Sequence, residues 1–170
     1  MTETLTLRKY SYRFAEQVLN SSLSLKHEIE SVLTDPGIEV SQLSRPQFNQ
    51  VLEDSYVARG WTPQPQVFED VSDPSARMDF MKDRVGIEVE FGHPSVLGMD
   101  VLKFQLASYS GLDRIDVGVY IVTTSAFQKH MQTVHGQKWN GSINYERVVR
   151  YLPHFRSAIQ VPVYVLGIDM

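Results

Sequence analysis

The chain has no cysteine among its 170 residues. That absence excludes a disulfide-stapled scaffold, a thiol nucleophile and a cysteine-ligated zinc site together. No apolar run approaches the ~18–20 residues that a membrane span needs, and Met1–Lys9 lacks the apolar centre of a secretory signal. Internal repeats and low-complexity tracts are missing, which rules out fibrous and disordered classes. Also absent are H-E-x-x-H, G-x-S-x-G, a P-loop and a dinucleotide fingerprint. Any chemistry must come from oxygen and nitrogen groups. A cytoplasmic location without membrane association is the expectation.

What remains is ordinary globular composition, with 42% hydrophobic and 21% charged residues. This length argues for one domain with its own core. The net charge of −4 hides an asymmetry. Residues 1–116 carry 18 acids against 11 bases, whereas Val117 to Ile168 carry five bases, three histidines and one acid, Glu146. Clustered Lys and Arg can displace counterions from nucleic-acid phosphates; an acidic site in the first part would also shift the balance.

Helical spacing opens the chain: Tyr10, Phe14 and Val18 are four apart, and Ile29, Val32 and Leu33 continue the pattern to the Asp35-Pro36-Gly37 turn. Ser44-Arg45-Pro46 reads as an N-cap and first turn of a helix to Ala58 that Gly60 closes. The period then changes. Residues 77–93 read as two strands about a tight turn near Asp83, followed by a helix from Pro94 to Tyr109. Apolar over most of its circumference, that helix is expected to be largely buried. "IDVGVYIVTT" reads as an interior strand, residues 142–157 as another helix, and "VPVYVLGI" as the last strand. The expectation is an α/β domain with a mixed sheet flanked by helices. It divides into N-terminal helices at 1–60, a catalytic core at 66–124 and a C-terminal helix and strand at 125–170.

Val85 to Gly92 carries the chemistry. Alternation puts Val85, Ile87, Val89 and Phe91 on one face of a strand and Glu88 and Glu90 on the other, roughly 7 Å apart. Alone, this describes an ordinary half-exposed strand. If residues 83–84 form the turn, however, Lys82 pairs with Val85 and Asp79 stands opposite Glu88, where like charges are destabilising. Three carboxylates on one patch either raise one another's pKa or await a cation, and hard oxygen ligands suit Mg²⁺.

Asp79, eight residues, then Glu88-Val89-Glu90 resembles the PD-(D/E)xK nuclease signature in its glutamate variant. With "FNQVLEDSYVARGW" before it, and "EVEFGH", "MDVLKFQLASYSG" and "DVGVYIVTT" after it, the chain is similar to BglII/BamHI-type members of the restriction endonuclease-like superfamily. The opening "YSYRFAEQVLNSSLSLKHEIESVL" extends the likeness, which is strongest from Phe48 to Thr124. Met78 stands where the motif's name has proline. The resemblance implies a Mg²⁺-dependent endonuclease on double-stranded DNA, with Mn²⁺ as a substitute ion, working as a homodimer. It makes Asp79 and Glu88 the metal ligands. Glu90 stands where many relatives carry lysine, and either orients or deprotonates the attacking water or adds a ligand. The rivals are an inactive binding module of the same fold and a nuclease for RNA or structured substrates.

Secondary candidates follow. Asn49 and Glu53 lie one helical turn apart and either face the metal or form a solvated helix face. Lys103 either approaches the scissile phosphate or pairs with Asp100. His93 reads as a loop hydrogen-bonder, and Glu69, Asp70 and Asp73 as a solvated loop. Ser125 to Asn140, with Lys129, His130, His135, Lys138 and Trp139, reads as a DNA-contact segment or an ordinary polar loop. His130 and His135, five apart, are not expected on one helix face.

Overall fold

A computed structural model of the chain describes residues 3–68, 73–109 and 111–170. Its strands are β1 (Thr6–Tyr12), β2 (Thr62–Pro63), β3 (Phe80–Lys82), β4 (Val85–Val89), β5 (Val117–Thr123) and β6 (Val163–Asp169). They form a six-stranded sheet in the order β1-β6-β5-β4-β3-β2. β4, β5 and β6 are mutually parallel, and the remaining pairings are antiparallel. The helices are α1 (Ala15–Leu19), α2 (Leu23–Leu33), α3 (Arg45–Val57), α4 (Leu97–Ala107), α5 (Ser125–His135) and α6 (Tyr145–Tyr151). The expected mixed sheet flanked by helices is therefore present. Among the described residues no helix is long and apolar enough to cross a membrane.

Strand alternation builds two cores. Val85, Ile87, Val89, Val117, Val119, Ile121, Leu166 and Ile168 face α1, α2, α3 and α5. Tyr120, Val122, Val163 and Val165 face α4 and α6. A Cβ on Gly118 would lie 2.6 Å from Phe104 Cγ, so this glycine is what lets α4 settle on the sheet. α3 starts in a full capping box, Ser44 with Gln47, and has Pro46 in its first turn. Such a cap contributes about 1 kcal/mol.

The β3–β4 turn has the expected two residues, and both Asp83 (φ 45°) and Arg84 (φ 64°) are left-handed, as the hairpin turn matching strand twist requires. The register is Lys82↔Val85, Met81↔Gly86 and Phe80↔Ile87. Its extension sets Asp79 against Glu88. Asp79 nevertheless stands just outside the ladder, because its Oδ2 accepts the Val89 amide at 2.7 Å.

Four expectations are corrected. The opening is strand β1: Thr6–Tyr12 pairs with β6, while Phe14 is 75% exposed at φ 59°, so the four-residue spacing marked no helical face. Ser125–His135 is helix α5, started by the Thr124 side chain accepting the Phe127 amide and ended by Gly136 at φ 65°. The helix read at 142–157 is the shorter α6 followed by a 3-10 turn at Leu152–Phe155. On α4, Met99 and Leu102 are about half exposed, whereas Asp100 and Lys103 are each only 4% exposed. That helix turns its charges inward.

Candidate active site

The charges of α4 are buried because the carboxylates of the hairpin lie beneath them. Lys103 Nζ sits 2.6 Å from Glu88 Oε1 and 3.1 Å from Asp100 Oδ1, and donates to the Arg77 carbonyl at 3.1 Å. Tyr120, projecting from β5 on the same face, donates to Asp100 Oδ2 at 2.9 Å. Asp79 is held by the Val89 amide and by Gln64 Nε2 at 3.3 Å. Glu90 continues β4 one residue beyond its end, its amide bonded to the Ile121 carbonyl at 2.9 Å, and its Oε1 accepts the Gly92 amide. All four carboxylates and Lys103 line one cleft of about 620 Å³.

The electrostatics are those of crowded acid. Burial, then repulsion from Asp79 and Asp100, pushes the Glu88 carboxyl up to about 10 against the pull of Lys103. Burial raises Glu90 to about 7, with the Gly92 amide working in the opposite direction. Asp79 and Asp100 also lie above the ordinary aspartate value through burial. For Lys103, burial would lower the pKa, but Glu88 and Asp100 more than offset it, so the ammonium keeps its charge. The ammonium lies against the buried Glu88 Oε1, and Asp79 and Asp100 crowd the same position. Ionising all the crowded carboxylates at once is costly with one ammonium among them, so each retained proton or further cation relieves the site.

The structure brings Asp79, Glu88, Glu90, Lys103 and Asn49 to one cleft; Glu53, partly buried on α3, is outside its lining. Lys103 pairs with Asp100 and also lines the cleft. Sequence reasoning gave Asp100 only as a pairing partner for Lys103, and it missed Tyr120, Arg45 and Arg77, which line or back the cleft. Asp100 and Tyr120 sit in segments whose apolar neighbours dominate the pattern, and Arg45 and Arg77 carry no spacing signal. Arg45 Nη1 donates to Ser142 Oγ at 2.8 Å and to the Phe91 carbonyl at 3.2 Å. Arg77 Nε is buried with no acceptor among the described residues.

Elsewhere, His93 caps the turn that precedes α4 through the Ser95 amide, as expected of a loop hydrogen-bonder. Asp73 accepts the Ser75 amide, and Glu69 and Asp70 lie outside the described residues. The 125–140 segment uses much of its polarity internally. Gln128 donates to Thr123 Oγ1 and the Ile143 carbonyl, and Trp139 is fully buried between Phe91 and Phe127. His130 and His135 both meet Glu3, whereas Lys129 and Lys138 are exposed.

Comparisons with known proteins agree with this fold. The sequence model of a family described as restriction endonuclease BglII/BglIII matches residues 7–168. The fold is similar to the crystal structure of restriction endonuclease BglII complexed with a DNA 16-mer. There the TM-score is 0.74 at 19% identity, covering 97% of this chain and 78% of that one. It is also similar to free BglII, with a TM-score of 0.63 at 20% identity over 97% of this chain and 80% of the other. No curated protein matches the chain at a significant level.

Proposed function

The chain belongs to the BglII/BglIII family of restriction endonucleases, and from that premise we propose that it is a Mg²⁺-dependent type II enzyme cutting double-stranded DNA at the Asp79–Glu88–Glu90 cleft. Membership makes it a nuclease, a hydrolase of phosphodiester bonds. The observation that carries the finer reading is the convergence of the Asp79, Glu88 and Glu90 carboxylates on one cleft, where burial raises each of them. All-oxygen donors of this kind fit Mg²⁺, with Mn²⁺ as a substitute.

Asp79 and Glu88 would hold the ion. When bound, it supplies Lewis acidity at a phosphate oxygen. The chain's own groups do the rest. Glu90 lines the cleft beside these ligands, where it can take a proton from the attacking water. Lys103 keeps an ammonium beside Glu88 and Asp100, where it offsets carboxylate charge as an anionic substrate arrives. Asp100 fixes its position and is itself held by Tyr120. Arg45, Arg77 and Asn49 on the cleft wall meet phosphate oxygens, and exposed Lys129 and Lys138 extend the cationic contact.

One carboxylate set cuts one strand, so a homodimer is needed for a duplex break and matches a palindromic target. Met99 at the cleft rim and Leu102 on the same helix, both about half exposed, support a second copy docking on α4. Plasmid incubation tests the assignment. Wild type should linearise DNA in Mg²⁺, whereas EDTA and Asp79→Ala abolish cleavage while Asp79→Ala remains folded. Full activity in EDTA or in Asp79→Ala overturns it. Sedimentation of a monomer both free and on DNA would replace the two-fold cutter with a nicking enzyme.

A further inference from the structure

Glu3, His130 and His135 present three donor atoms within 4.8 Å of one another, remote in sequence from the carboxylate hairpin. Residues five apart on a regular helix diverge by about 140°. Here His135 is the last residue of α5, where Gly136 turns the chain at φ 65°, and the two rings come to 5.5 Å between centroids. Glu3, in the segment before β1, bridges them. His130 Nε2 is 2.7 Å from Glu3 Oε1, and His135 Nε2 is 3.1 and 3.2 Å from Oε1 and Oε2.

Two imidazole nitrogens converging on one carboxylate form the donor set of an open zinc centre. We propose that Glu3, His130 and His135 form a second cation site, selective for a borderline dication of the zinc class and independent of the nuclease reading. Bonds of ~2.0–2.1 Å in a tetrahedron put ligand atoms about 3.3 Å apart. To meet that spacing the His130 contact to Glu3 opens from 2.7 Å by about 0.6 Å, and the His135 contacts from 3.1 and 3.2 Å by about 0.1–0.2 Å. The side chains are 38%, 22% and 27% exposed for His130, His135 and Glu3, so an ion can enter and water can complete its shell.

Ligand chemistry separates the two sites. Nitrogen donors favour Zn²⁺ or Co²⁺ over Mg²⁺, whereas the carboxylates of the cleft offer oxygen alone. Once filled, the histidine site pins the segment before β1 to α5.

The test titrates Zn²⁺ alone into the full chain in saturating Mg²⁺, against a chromophoric chelator, with Co²⁺ absorption as a second readout. One Mg²⁺-resistant equivalent is expected, with visible Co²⁺ bands of low coordination number and a higher thermal midpoint in Zn²⁺. These should survive in Asp79→Ala and disappear in the His130→Ala/His135→Ala pair. If circular dichroism finds that pair unfolded, His130→Gln/His135→Gln replaces it, since glutamine can still donate to Glu3. Absence of the Mg²⁺-resistant equivalent, or its persistence in the folded double variant, overturns the site and leaves a hydrogen-bonded clamp.

Discussion

Replacing Glu88 by glutamine should make the metal-free protein more stable at high pH. The glutamate is 3% exposed, and its carboxyl is raised from an ordinary 4.5 to about 10 by burial and by Asp79 and Asp100. Between those values the unfolded chain has released the proton and the folded chain still holds it. Metal-free stability therefore falls as pH rises, by at most ~1.4 kcal/mol per pH unit for one proton. Between pH 7 and 9, above the value near which Glu90 titrates, the loss assigned to Glu88 reaches about 1–3 kcal/mol once some water penetration is allowed. A glutamine has no proton to give up, so Glu88→Gln should lack this slope, and its advantage over wild type should widen by that amount between pH 7 and 9. Urea denaturation across this pH range, for both proteins, measures it. Saturating Mg²⁺ should flatten the wild-type slope alone, since the cation favours the ionised carboxylate. Parallel curves for the two metal-free proteins would refute the buried-acid account.

Lys103→Met removes the ammonium that pairs with buried Asp100; metal-free stability should drop by about 3 kcal/mol, as for a broken buried pair, and Mg²⁺ should narrow the gap in a denaturation assay. Gly118→Ala drives a methyl into the Phe104 ring, so we expect destabilisation by about 1–3 kcal/mol together with reduced cleavage, because the displaced α4 carries Lys103. A calorimetric midpoint unchanged in that variant would contradict the packing argument. Lys129→Ala/Lys138→Ala should weaken DNA binding and flatten its dependence on salt by roughly one logarithmic unit for each phosphate no longer neutralised. An unchanged salt slope would move the DNA surface elsewhere.

The hairpin and its acids were legible because they rest on short-range rules. A strand period of two, a two-residue turn and the cost of opposed like charges place Asp79 against Glu88 from the sequence alone. α3 was legible for the same reason, through Ser44 and Pro46. β1 was not, since its stability comes from pairing with β6, more than a hundred residues away, and Tyr10, Phe14 and Val18 imitate a helical stripe. α5 carries a readable signal in Thr124, Phe127, Met131 and Gly136, but its many polar side chains mask it. Asp100 was legible only as a partner for Lys103 three residues on. That the pair is buried against Glu88 shows only in three dimensions.

The two-residue turn at Asp83 and Arg84 also bears on how this chain can change over generations. Substitutions there that accept left-handed backbone, Asn-Gly among them, leave the alignment of Asp79 with Glu88 intact. Deleting or inserting one residue between the turn and Glu88 does not. With a side-chain period of two, that single slip would send Glu88 and Glu90 into the aromatic side around Phe48 and Phe91 and bring Ile87 and Val89 into the cleft. Insertions and deletions here are thus filtered far more severely than replacements. Lineages descended from this chain should vary in the two letters of the turn, among residues that accept left-handed backbone, and hardly at all in the hairpin's length.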